Sequence, residues 1–123
     1  MANAPVQAQS AVIAASGSVS TAVYIGYGEL IAIQMDTAWT TAALGFQVSF
    51  DGVLFQGLWT AAGAEVTVAS AAAVASQTIV LDSDLFTGGV WLKIVSGSNA
   101  SQVTQSAART LQVLVRKLAH NIP

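Results

Sequence analysis

The stretch Gly45–Gln56, GFQVSFDGVLFQ, sets Phe46, Val48 and Phe50 in alternation with Gln47 and Ser49 and then reaches Asp51-Gly52. Successive side chains of an extended chain point to opposite faces, so this period of two marks a strand with one buried face. Asp-Gly between two such runs favours a tight type I′ hairpin, in which both central residues take positive φ, with Val53–Trp59 as the return strand. The same alternation recurs at Val19–Ile25, Glu65–Ala69 and Arg109–Leu118, and Leu30–Met35, Gln77–Leu81 and Val90–Ser96 read as further strands.

Helical signals are short by comparison. Asp36 is placed to cap a turn through Thr37, Ala38 and Trp39, folding Trp39 over one end of the core, and Asp82-Ser83-Asp84 to cap one holding Leu85 and Phe86 before Gly88-Gly89. The Ala-rich segment Ser70–Ser76 falls well below the ~12 residues at which an isolated helix becomes marginal, so strand or loop is expected there. About eight short strands separated by glycine-rich turns predict an all-β fold, an antiparallel β-sandwich of jelly-roll type.

The 123 residues suffice for one such core and leave no room for a second. Residues 1–17, rich in Ala, Ser, Gln and Asn, read as an extended N-terminal arm with a weak strand at Ala11–Ala14 that orders on contact with something else. Residues 18–118 form the sandwich and residues 119–123 a C-terminal tail.

Charge excludes several functions. Charged residues are 8% of the chain against roughly 25% in ordinary domains, and apolar residues reach 54%. With a net charge of -2 and Lys93, Arg109, Arg116 and Lys117 as its cations, the chain has no basic stripe for phosphates, so direct nucleic-acid binding is not expected. The long uncharged run Met1–Gly28 is broken by Pro5, Gln7, Gln9, Ser10, Ser16, Gly17, Ser18 and Ser20, so it predicts no membrane-spanning helix. It also lacks the basic and apolar regions of a signal peptide, which makes cytosolic synthesis the expectation. Without cysteine, stability must come from packing and association.

Residues able to do covalent chemistry are few. The one histidine, His120, sits in the tail, away from any candidate nucleophile. Asp36, Asp51 and Asp82 or Asp84 have turn or cap roles, leaving Glu29 and Glu65 unassigned. Asp82 and Asp84 make a D-x-D too poor in carboxylates for a calcium loop, and Gly26-Tyr27-Gly28 is not followed by a nucleotide-binding pattern. No catalytic residue, cofactor or metal is therefore expected. Trp39, Trp59 and Trp91 read as core or interface residues, with a stacking platform for sugars as the alternative. Gln105 and Arg109 are placed to hydrogen-bond a polar loop back onto the last strand.

The segments AWTTAALGFQVSFDGVLFQ, DLFTGGVWLKIVSG and QSAARTLQVLV, in that order and spacing, resemble small virion structural proteins of tailed bacteriophages over roughly residues 18 to 118. The resemblance implies a non-enzymatic β-sandwich on the capsid exterior, made in the host cytoplasm: a decoration or cement protein bridging and stabilising major capsid protein subunits. Trp39, Phe46, Ser49, Asp51-Gly52, Ser96-Gly97, Gln105 and Arg109 match the stretches that recur in that group, and Lys93 matches a commonly basic position. With Trp59 and Trp91 added, the expected structural and interface residues are Trp39, Phe46, Asp51, Gly52, Trp59, Trp91, Gln105 and Arg109. The expected partners are the major capsid protein and further copies of the chain, as a dimer or trimer. The FQVSFDG segment also resembles the S-x-D-G turn of discoidin-like carbohydrate-binding sandwiches, so a glycan-binding or host-recognition module is one alternative and a neck or tail component of the same virion another.

Overall fold

The computed structural model describes residues 6–26, 28–81 and 90–117. The first residues of the arm, Tyr27, the Asp82-Ser83-Asp84 cap with Leu85, Phe86 and Gly88-Gly89, and the tail with His120 lie outside the described residues. Among the described residues there are eight strands and no helix: β1 (Val6–Ile13), β2 (Val23–Gly26), β3 (Gly28–Gln34), β4 (Leu44–Ser49), β5 (Gln56–Gly57), β6 (Thr78–Val80), β7 (Val90–Ser96) and β8 (Arg109–Lys117). They form two four-stranded antiparallel sheets, ordered β1-β8-β3-β6 and β2-β7-β4-β5.

The pairing is nested. β4 pairs with β5, β3 with β6, β2 with β7 and β1 with β8. The chain thus pairs as one long hairpin whose tip is residues 50–55 and whose arms are shared between two sheets.

Alternation decides which side chains fill the space between the sheets. Ala11 and Ile13 of β1, Leu30 and Ile33 of β3, and Leu111, Val113 and Val115 of β8 are buried from one sheet. Val23 and Ile25 of β2, Leu44 and Phe46 of β4, and Leu92 and Ile94 of β7 meet them from the other. Each large side chain of this set contributes about 1.5–3 kcal/mol by leaving water. Trp39 closes one end of the core: its ring is buried and its Nε1 donates to the Ala42 carbonyl at 3.3 Å. The Asp36 turn forms without a helix, as the Asp36 Oδ1 accepts from the Ala38 N–H at 2.8 Å.

Five expectations are corrected. The strand in the N-terminal segment is not confined to Ala11–Ala14 and does not await a partner: Val6–Ile13 pairs with β8 along its whole length. Ala11 and Ile13 supply the apolar anchors, and the intervening backbone follows because β8 presents a continuous ladder.

The hairpin after β4 is not type I′. Gly52 takes φ 79 while Asp51 stays at negative φ, and the loop spans residues 50–55 before β5 begins. Asp51 widens it by supplying side-chain bonds in place of a tight backbone turn. The return strand is also short, and Glu65–Ala69 forms isolated bridges instead of a strand. Both segments share the edge of β4: Leu58 N donates to Phe46 O at 3.0 Å, whereas Val68 exchanges bonds with Leu44. Finally, Val19–Ile25 is regular only from Val23, because Ser20 turns inward and its Oγ accepts from Ile94 N at 2.9 Å.

Candidate interaction surface

The expected site residues separate into two clusters and three single positions, Trp39, Phe46 and Trp59. Gln105 and Arg109 meet in the interior, at the end of the sandwich that Trp39 closes. Arg109 Nε donates to Gln105 Oε1 at 3.0 Å, and that oxygen also accepts from Thr40 N at 3.0 Å. The Gln105 Nε2 donates to Thr40 O (3.1 Å) and to Ser96 Oγ (2.9 Å), while its backbone bonds Ser16 and Gly17. Arg109 Nη2 reaches Thr40 Oγ1 at 3.2 Å. Every donor and acceptor of the Gln105 amide is occupied, in a residue with 0% exposure. A buried polar side chain in this state is a weld between segments, with no group left for a ligand.

Asp51, Gly52 and Trp91 form the second cluster, at the tip between β4 and β5. The Ser49 hydroxyl donates to Asp51 Oδ1 (2.8 Å) and accepts from Gly52 N (2.9 Å). The same carboxylate oxygen takes Val53 N at 2.8 Å and Leu54 N at 3.0 Å. The Val53 amide above all, with the Ser49 hydroxyl and the Leu54 amide, holds the Asp51 carboxyl at about 2, below the ordinary 3.8. Gly52 is required twice: by its left-handed φ, and because a Cβ there would sit 3.0 Å from the Trp91 indole. Trp91 in turn packs on Tyr24, ring centroids 4.6 Å apart and tilted by 46°.

This loop turns its apolar side chains outward. Phe50 and Val53 are each 84% exposed and Leu54 64%. Beside them Val48, Phe50, Asp51, Leu54, Gln56 and Gly57 line a depression of about 250 Å³. One Asp51 oxygen ties the loop to itself, so these hydrocarbon side chains are presented beside the exposed carboxylate on a backbone held by side-chain bonds.

Phe46 is a core residue, 1% exposed. Trp59 stands apart, half exposed near Asn99 and Gly57. The three indoles therefore do not share a platform: Trp39 is inside, Trp91 under the loop, Trp59 on the surface. The amide beside Trp59 is fully engaged as well, since Asn99 Nδ2 donates to Phe46 O (3.0 Å) and Glu65 Oε2 (2.9 Å) and Asn99 Oδ1 accepts from Gln47.

The sparse charges are used locally. Glu29 pairs with Arg116 at 3.5 Å, Asp36 holds Ala38 and Thr110, Glu65 holds Asn99, and Lys93 Nζ lies 4.4 Å from the Phe55 ring centre. The backbone amides of Ala38, first, and Thr110 lower the Asp36 pKa. Among the described residues no three His, Cys, Asp or Glu side chains converge as a metal site, and no helix is long and apolar enough to cross a membrane.

Sequence reasoning named Asp51-Gly52 and Trp91 but missed the outward role of Phe50, Val53 and Leu54. The signal was available in the loop itself: a tight turn at Asp51-Gly52 would leave Phe50 and Val53 on strands, whereas Ser49 two residues before Asp51 permits the side-chain network seen here. No family model matches the chain, nor does any curated protein or solved structure.

Proposed function

We propose that the protein is a non-enzymatic virion structural protein, a capsid decoration or cement protein that docks on major capsid protein subunits. The observation that carries this reading is the Ser49–Asp51 loop, in which Asp51 Oδ1 gathers the Ser49 hydroxyl and the Val53 and Leu54 amides while Phe50, Val53 and Leu54 stand in solvent. Exposed apolar side chains on a preorganised backbone lose little conformational entropy on docking, and an adjoining depression gives them a shape to match. The nested strand pairing supports the jelly-roll reading of the sandwich, and the motif resemblance supplies the virion. A neck or tail position would use the same surface. The glycan-binding alternative is weakened by the dispersal of the three tryptophans and by the internally bonded Asn99.

The test is reconstitution. Purified protein added to particles that lack it is expected to bind and to raise the temperature or osmotic shock at which the shell ruptures. Absence of both binding and added resistance would overturn the cement reading.

A further inference from the structure

The edge of β1 has a chemistry that names its own occupant. β1 lies at the edge of its sheet, with β8 on one side. Backbone groups of an antiparallel strand point alternately toward and away from a given neighbour. Val12 points away from β8, because its N–H donates to Thr21 Oγ1 (3.1 Å) and its carbonyl accepts from Thr21 N (2.9 Å). Its cross-strand partner agrees: Thr110 N donates to Asp36 Oδ2. By the same parity Ser10, Ala8 and Val6 point outward.

Thr21 closes this edge at Val12, and in sequence Val6 is preceded by Pro5, which has no N–H. Between them the window Val6–Ser10 has no strand on its outer side among the described residues. It also carries no charge, no proline and no bulge, the usual means by which edges avoid pairing.

We propose that this window pairs with the same window of a second copy, antiparallel about a two-fold axis at Ala8. Ala8 then meets Ala8, and Val6 meets Ser10 on both sides, forming about six backbone hydrogen bonds. The sequence Gln7-Ala8-Gln9 is symmetric about that axis, so Gln7 faces Gln9 of the second copy. Gln9 Nε2 already donates to Tyr24 O at 2.9 Å, leaving Oε1 to accept from Gln7 of the second copy. On the outer face, the uncharged row Ala8, Leu114, Ala32 and Val80 that crosses the sheet would continue into its symmetry mate. An arbitrary strand would satisfy the backbone but not this amide exchange.

Sedimentation equilibrium of the wild-type chain is expected to give a species of about twice 12.5 kDa, with slowed hydrogen exchange at Val6, Ala8 and Ser10. Ala8→Pro removes the outward N–H without touching a β1–β8 bond, and is expected to abolish the dimer. Ala8→Lys sets like charges opposite each other across the axis and is expected to raise the dissociation constant about fivefold at low salt. Mixing Ala8→Lys with Ala8→Glu should recover wild-type association, because only this register puts the two charges face to face. A monomer at every soluble concentration, or a dimer indifferent to Ala8→Pro, would overturn the proposal. So would a Lys and Glu mixture no tighter than Ala8→Lys alone, a comparison that holds even if Ala8→Pro fails to fold.

Discussion

Two polar side chains organise irregular backbone in this protein, and they work in opposite surroundings. Gln105 is fully buried and ties the 16–17 segment, Thr40, Ser96 and Arg109 into one junction. Asp51 is exposed and ties only its own loop, Ser49 through Leu54. Both replace backbone-to-backbone bonds that the chain cannot make locally. The difference lies in what is left when the side chain is removed: around Gln105 the orphaned Ser96 hydroxyl and Arg109 Nε are buried, whereas around Asp51 solvent replaces the lost partner. Gln105 therefore joins distant segments of the fold, whereas Asp51 shapes a single exposed loop.

The contrast is open to attack at its strong end first. Gln105→Leu keeps the volume but strands Thr40 N, Thr40 O, Ser96 Oγ and the Arg109 Nε together, and is expected to cost about 3 kcal/mol in urea unfolding. A loss under about 1 kcal/mol would mean that the junction is not a weld.

A smaller effect is expected from acid at the Asp51 loop. Because the folded pKa of Asp51 lies at about 2, below its ordinary 3.8, the carboxylate favours the folded loop above pH ~4 and loses that contribution as pH falls toward 2. NMR shifts of the Val53 and Leu54 amides should follow that titration. Asp51→Asn keeps an acceptor oxygen and should flatten the pH dependence at these two amides without displacing the loop.

The smallest effect on stability is expected from the apolar tip. Phe50→Ser with Leu54→Ser should change the unfolding free energy by less than about 0.5 kcal/mol, as exposed positions do. The same double substitution is expected to abolish binding to particles under the cement reading. A large stability loss would show instead that the tip packs on the body of the protein.

Strands with two well-marked faces were legible in advance. β7 spans the expected Val90–Ser96, and β8 begins at Arg109 with Leu111, Val113 and Val115 buried on alternate positions. Legibility failed where a side chain outcompeted the backbone pattern. Asp51-Gly52 matches the dipeptide of a tight hairpin, but Ser49 and two loop amides draw the carboxylate into a wider turn. Val53–Trp59 is the expected return strand, yet β4 divides its edge between Leu58 and Val68. Gln105 and Arg109 were paired from their positions near the last strand, but nothing local in sequence points to Thr40 or Ser96 as the groups they join.

By itself, the sequence determined the all-β class, the two-sided strands and the scarcity of charge, because period-two alternation and composition are local properties that any partner must accommodate. Only the tertiary structure decided the nested strand order, the burial of Gln105, the outward turn of Phe50, Val53 and Leu54, and the open edge at Val6–Ser10. Those features depend on which backbone groups remain unpaired after long-range strands have met, a quantity that no single segment carries.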